Sequence, residues 1–348
     1  GALSGSAANL VSAFAGTVTT HTGTVAITDA PTLAQLVTIN AETTGAITLN
    51  VTNGALSGSA ANFVSAFAGT VTTHTGTVTV TNAPTVAQLK TINDESTGAI
   101  TLNVTNGALS GSASDLVDAF AGTVTTHTGA VTLTDAPSVA QLVTINAATS
   151  GAITLNVTNG ALSGSAANLV SAFAGTVTTH TGTVTITDTP TVAQANTIDA
   201  ATSGAITATF ADDATDLATL TGTGNAYTLT LSNTDAATLA ELVTINAATT
   251  GAITLNTLTI AANLSGSAAN LTSAFAGTVT THTGTVTITN APTVAQLVSI
   301  NAATTGAITL STADGALSGS AANLVSAFAG TVTTHTGTVA ITDAPTVA

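Results

Sequence analysis

The chain of 348 residues carries a single basic side chain, Lys90, no Arg and 16 acidic residues, for a net charge of −15. That balance argues against nucleic acid as a partner, because nothing could neutralise the phosphates, and against an anionic membrane surface for the same reason. With no Cys there can be no disulfide and no thiolate metal site. Mean hydropathy is +0.52, yet Thr, Ser, Gly and Asn interrupt every apolar run well short of the ~20 residues that a membrane-spanning helix needs.

The phrase GALSGSA begins at Gly1, Gly54, Gly107, Gly160 and Gly315, and a variant, ANLSGSA, begins at Ala262. The first four copies are 53 residues apart. Repetition at a fixed period is the signature of an array rather than of separate globular domains. The expected organisation is one repeat array over 1–348, with units of about 1–53, 54–106, 107–159 and 160–206, a divergent unit 207–260, then 261–314 and a partial 315–348. A start without Met and a stop part-way through a unit suggest an excerpt of a longer chain.

Each unit reads as two half-units. In the first, Ala7, Leu10, Val11 and Phe14 fall at helical spacing, Ser4 or Ser6 can cap the helix, and Gly16 ends it. Thr17 to Thr22 is extended or turn-like. After Gly23, Val25 and Ile27 alternate with Thr24, Ala26 and Thr28, the pattern of a strand. In the second, Asp29 is an N-cap candidate, Pro31 suits a first helical turn, and Leu33, Leu36 and Ile39 line a buried stripe. Thr43-Thr44-Gly45 matches His21-Thr22-Gly23, and Ile47, Leu49 and Val51 form the next alternating strand. The marker glycines Gly23, Gly45 and Gly76 thus alternate at spacings of 22 and 31 residues. Strands joined through helices demand a parallel sheet with right-handed crossovers. The expected fold is α/β, a right-handed solenoid of short helix plus parallel β-strand rungs, with a 53-residue two-rung repeat. The divergent unit lacks TTHTG, has Ala237 in place of Pro and holds the single Tyr, Tyr227.

Four patterns could carry chemistry. Six histidines, His21, His74, His127, His180, His282 and His335, occupy one place in the repeat. At ~9–10 Å per two rungs they stand too far apart to share an ion with ~2.1 Å bonds, so turn histidines bonded to backbone or hydroxyl are expected. Aspartates recur before the second helix, with Asn at two of the positions: Asp29, Asn82, Asp135, Asp188, Asp235, Asn290 and Asp343. Asn keeps the acceptor oxygen and loses the charge, which suits an N-cap and not a calcium site; these seven read as structural N-caps. Asp212, Asp213 and Asp216 are the densest acidic group. They are weak candidates for a cation site, against the plainer reading of acids at a helix start. Outward threonines such as Thr24, Thr28 and Thr48 could order water or dock on ice, but Ala26, Ala46 and Asn50 dilute them. No catalytic residues or resident cofactor are expected; calcium is the only cofactor left open.

The phrases LSGSAANLVSAFAG, TVTTHTGTVAITDAPTLAQL and TINAETTGAITL resemble the tandem repeats of very large surface or secreted bacterial proteins, especially cyanobacterial ones, of the adhesin-like or S-layer-like kind. The resemblance implies an extracellular or cell-surface structural role and export by a dedicated route. It carries over no catalytic residue, and the calcium-binding secretion module that accompanies some such proteins is missing. The expected function is an extracellular structural repeat protein contributing to a fibre, filament or surface layer, associating with itself, with cell-surface polysaccharide as a further candidate partner. The alternatives are an adhesin stalk or ligand-binding module and, less favoured, an ice-binding or carbohydrate-active solenoid.

Overall fold

The computed structural model of the chain describes residues 1–16 and 18–344. Thr17 and positions 345–348, the end of the partial unit, lie outside the described residues. Two compact units are distinguished, residues 1–160 with 171–181 and residues 161–170 with 182–348. Among the described residues there are 14 helices and six sheets, and helix and strand alternate along the chain. All named strand pairs are parallel.

The first 53 residues show how the sequence builds this. Strand β1 is Leu3–Gly5, helix α1 is Ala7–Ala13, strand β2 is Val25–Ile27, helix α2 is Leu33–Ala41 and strand β3 is Ile47–Leu49. Helix α1 starts at Ser6, whose hydroxyl accepts from Asn9 N, and the chain leaves it through Gly16 at φ 91°, a left-handed conformation that favours glycine. Ala7, Leu10 and Phe14 are buried, while Val11 lies half-exposed at the margin of the stripe. Helix α2 buries Leu33, Leu36 and Ile39. Val25, Ile27, Ile47 and Leu49 point inward against these helices, and Ala26 and Thr48 point away.

The strands pair in the order β1–β2–β3, with Leu3 opposite Val25 and Val25 opposite Ile47. Three strands per unit replace the two expected. LSG is too short to show an alternation, and the marker spacing of 31 residues hides a third turn glycine. Gly1, Gly23 and Gly45 each stand two residues before a strand, and the next strand, at Leu56, follows Ile47 after nine residues. The Thr70–Thr72 segment of the next unit adds a further bridge to Ile47, with Ile47 N donating to Thr70 O at 2.8 Å. The turn glycines are required by close approach: a Cβ on Gly45 would overlap the carbonyl of Gly23, and the same holds for Gly98 on Gly76, Gly151 on Gly129 and Gly306 on Gly284.

Asp29 does not cap α2, and Pro31 precedes the helix rather than opening its first turn. The N-cap is Thr32, which forms a capping box: its hydroxyl accepts from Gln35 N while Gln35 Oε1 accepts from Thr32 N. The same correction applies at Asn82, Asp135, Asp188, Asp235 and Asn290, where the caps are Thr85, Ser138, Thr191, Thr238 and Thr293. At Asp343 the second helix would fall at positions outside the described residues. T-x-x-Q is a strong start signal, so the chain stays extended through the proline and turns helical after it.

In the second unit the same order returns at helices Ala268–Ala274 and Val294–Ala303, with strands Leu264–Gly266, Val286–Ile288 and Ile308–Leu310. The divergent stretch makes longer strands, Ile206–Asp212 and Ala226–Leu231, around the four-residue helix Ala214–Leu217. Its core holds Phe210 edge-on to Tyr227, ring centroids 5.1 Å apart.

Removing residues 54–106 should leave helicity and melting cooperativity intact, because strand register and glycine contacts re-form across the cut. Removing about 26 residues, a length matching no multiple of the strand spacing, should broaden the transition and lower its midpoint. Circular dichroism melts of the two deletions check this, and equal tolerance would contradict it.

Candidate functional site

The recurring acids and amides hold one rung to the next. Asp29 Oδ1 accepts from Ala7 N at 2.7 Å, so it reaches back 22 residues to the first residue of α1. Asn82, Asp135, Asp188, Asn290 and Asp343 do the same for Ala60, Ala113, Ala166, Ala268 and Ala321, at 2.7–2.8 Å. The first turn of a helix leaves N–H groups without intrahelical partners, and this oxygen satisfies one of them. Asp235 departs from the set: its carboxylate accepts from Thr234 Oγ1 at 3.3 Å, and Ala237 N donates to Thr259 Oγ1 at 2.9 Å.

The other helix end is held by a residue that sequence reasoning missed. Asn40, in the last turn of α2, donates from Nδ2 to Ser65 O, Ala66 O and Ala68 O at 3.0, 2.9 and 2.8 Å, the carbonyls that end the next helix. Asn93, Asn146, Asn246 and Asn301 occupy the same place and make the same kind of bond. Its recurrence in T-I-N was the available signal. Thr43 is a buried hydroxyl with both roles filled, donating to His21 O and accepting from Gly45 N, each at 3.0 Å.

The histidines lie on the inner side of this turn. His74, His127, His180 and His282 are at most 2% exposed. Each faces a phenylalanine seven residues earlier, with ring centroids 5.6–6.3 Å apart. Burial pushes all four below the ordinary histidine value, opposed in part by a nearby carbonyl, that of Gly54, Gly107, Gly160 and Ala262 respectively, with Thr77 adding to the effect at His74. At the corresponding place His335 Nε2 lies 2.6 Å from Gly315 O. His282 Nδ1 is 3.4 Å from Thr304 Oγ1. At His127 neither ring nitrogen makes a well-aligned hydrogen bond, although the Gly107 carbonyl is close enough to act on it.

Asp212, Asp213 and Asp216 do come together, with carboxylate oxygens within 4.8 Å of one another. Asp212 and Asp213 are half-buried and Asp216 is exposed. Asp213 is the N-cap of Ala214–Leu217, its Oδ1 accepting from Asp216 N at 2.8 Å, and Asp212 Oδ1 accepts from Asp213 N at 3.0 Å. Asp212 and Asp216 also border a surface groove of about 390 Å³ with Thr191, Asn196 and Thr219. Three carboxylates beside hydroxyls are a donor set for a hard cation; two of the three already accept main-chain donors of the helix start.

A second groove, of about 290 Å³, lies beside Asp199, Thr202, Gly222 and Asn225. Here Asp199 stands where regular units carry the clamping Asn, and Asn225 stands where they carry His. Asn225 donates from Nδ2 to Asp199 Oδ1 at 2.8 Å and accepts from Ile206 N at 2.9 Å. Asn196 takes over the clamp, donating to Thr219 O at 2.9 Å and accepting from Thr221 N at 2.8 Å. Tyr227 is fully buried nearby, and burial raises its hydroxyl above the ordinary tyrosine value, with Asp199 adding to the effect.

The single cation bridges two helices. Lys90 pairs with Asp118 and lies 3.6 Å from Asp115 Oδ1, and its ammonium is held above the usual lysine value first by the hydrogen bond to Asp118. Among the described residues no helix is long and apolar enough to cross a membrane. Comparison of the chain with protein families, curated proteins and solved structures finds no match.

Asp135→Asn should leave the unfolding midpoint nearly unchanged, since Asn82 and Asn290 already fill that place, while Asp135→Ala should cost about 1 kcal/mol. Asn146→Asp should cost more than Asn146→Ala, because it sets a carboxylate against helix C-terminal carbonyls. Denaturant unfolding followed by circular dichroism ranks the four. Asp213→Asn should melt like the parent, with Asp213→Ala lower by about 1 kcal/mol. If Asp213 acts only as a cap, added calcium should shift neither the parent nor the variants.

Proposed function

We propose that the chain is an extracellular or cell-surface structural repeat protein that contributes to a fibre, filament or surface layer and has no catalytic role. One observation carries this reading. The polar side chains that recur with the repeat bond across rungs: Asp29 and its counterparts to helix N-termini, Asn40 and its counterparts to helix C-termini. A side chain committed to the adjacent rung builds length. Nearly identical rung interfaces make stability grow with copy number. The architecture that fits is a single array in the form of a right-handed solenoid, since helical crossovers between parallel strands take that hand. A chain rich in uncharged hydroxyls with one basic residue suits the cell exterior, as does the resemblance of its repeats to surface-protein repeats. Self-association and contact with surface polysaccharide follow from the same reading.

A second reading, an adhesin stalk or ligand-binding module, is favoured by the divergent stretch, where Asp199, Asp212 and Asp216 border two polar grooves. Attachment of the repeats to immobilised polysaccharide, lost in Asp199→Asn or Asp212→Asn and retained in Asp135→Asn, would select it.

Electron microscopy of the protein across a concentration series tests the structural reading. The expected result is filaments or sheets that lengthen with concentration. Discrete particles of constant size at every concentration would overturn it.

A further inference from the structure

A rung of this fold can be built without the histidine. In the divergent stretch Asn225 holds the same place, its amide bonded through both Oδ1 and Nδ2, and strand Ala226–Leu231 follows it directly. The regular units instead place an imidazole there, wedged between a phenylalanine ring and the main chain of adjacent rungs. His74 lies against Phe67, His127 against Phe120, His180 against Phe173 and His282 against Phe275. The main-chain groups of the histidines join rungs too: His74 N donates to Glu95 O and His74 O accepts from Thr97 N, both at 2.9 Å, and His127 and His282 bond in the same way to Ala148 with Ser150 and to Ala303 with Thr305. A change at the ring therefore acts at a rung-to-rung joint.

We propose that His74, His127 and His282 form a distributed acid switch, in which protonation of the rings at the rung joints destabilises the fold on mild acidification. A charged imidazole carries two N–H donors; at His127 neither nitrogen makes a well-aligned bond, and at His282 the second nitrogen has only the hydroxyl of Thr304 at 3.4 Å. The groups facing these three rings are the phenyl rings, the carbonyls of Gly54, Gly107 and Ala262, and the main chain of Thr77. No carboxylate, ammonium or second imidazole acts on any of the three. Glu95, the titratable residue beside His74 in the next rung, contributes its main-chain carbonyl.

The sign follows from linkage. Burial lowers the folded-state value of these histidines below the ordinary value of about 6.5, so the unfolded chain binds more protons. The stability they allow is complete above about pH 6.5 and is lost as pH falls below that value. Carboxylates ordinarily titrate near 4, which leaves a window above about pH 5 in which histidine acts alone. Because one repeated sequence carries the groups, their proton uptakes add along the chain.

The test is denaturant unfolding of the whole chain at a series of pH values from 7.5 to 5.5, for the parent and for His74→Asn/His127→Asn/His282→Asn, with asparagine chosen on the precedent of Asn225. The parent midpoint should fall with pH, with a slope corresponding to several protons taken up on unfolding, and each single replacement should remove up to about one proton from that slope. The threefold variant should lose most of the slope. A threefold variant as pH-sensitive as the parent would overturn the proposal. Imidazole titration of the folded parent by NMR decides the matter if that variant fails to fold: resonances of the three that remain neutral below pH 6 support the switch, and resonances titrating at or above the ordinary value refute it.

Discussion

The first helix of a regular unit is not completed by its own rung. The first N–H of helix α1 finds its acceptor in Asp29, in the next coil of chain, and the last carbonyls of the helix Ala60–Ala66 find their donor in Asn40, in the coil before. A helix of seven residues is too short to be stable alone in water, and its unpaired end groups are a large fraction of its backbone. Neighbouring coils supply both what the helix lacks in polar partners and what it lacks in apolar cover. This mutual completion makes the repeat period strict: an Asp or Asn 22 residues away works only if the strands beneath are in register.

The same constraint explains which parts of the fold were legible. The apolar stripes Leu10 with Phe14 and Leu33 with Leu36 and Ile39, and the alternating strands at Val25 and Ile47, follow from local periodicity and could be read directly. Asp29 is recognisable as a capping residue, but the helix it serves is the preceding one, through Ala7 N. An N-cap is sought within one turn of its helix, and here the carboxylate serves a helix that ended before it. The local signal, Thr32 with Gln35, lay three residues further on. Strand Leu3–Gly5 and the Asn40 clamp were hidden for a related reason. A three-residue strand has one outward side chain and no visible alternation, and a clamp across 25–28 residues has no local signature. The acidic group at Asp212, Asp213 and Asp216 was readable as a cluster, and its helix-start role emerges with the geometry of Ala214–Leu217.

The divergent stretch shows that the cross-rung bonds act as a set. When the clamping amide becomes Asp199, it can accept and no longer donate. Its partner changes accordingly, from helix carbonyls to the amide of Asn225, and Asn196 assumes the clamp one turn earlier. Asn225 in turn displaces the histidine of the regular units. Changes at 199 and 225 are therefore intelligible together, because Asp199 accepts from the buried Asn225 and either change alone would leave that amide without this partner.

Spacing sets a limit that the unit boundary answers. Strands repeat every ~4.8 Å, whereas packed helix axes prefer 8–10 Å, so a continuous sheet with one helix per strand would accumulate misfit at each step. In the regular units three full strands pair, the third then meets the next unit through the single bridge from Ile47 to Val71, and the next paired strand starts nine residues on, at Leu56. Full pairing is thus interrupted once per unit, while the two helices of a unit bury Leu10, Phe14, Leu33, Leu36 and Ile39. The exception supports the account. The one five-stranded sheet, from Leu162–Gly164 to Ile253–Thr254, runs through the divergent stretch. There the helix between two of its strands shrinks to the four residues Ala214–Leu217, about one turn, so little of its length has to pack against a neighbouring helix.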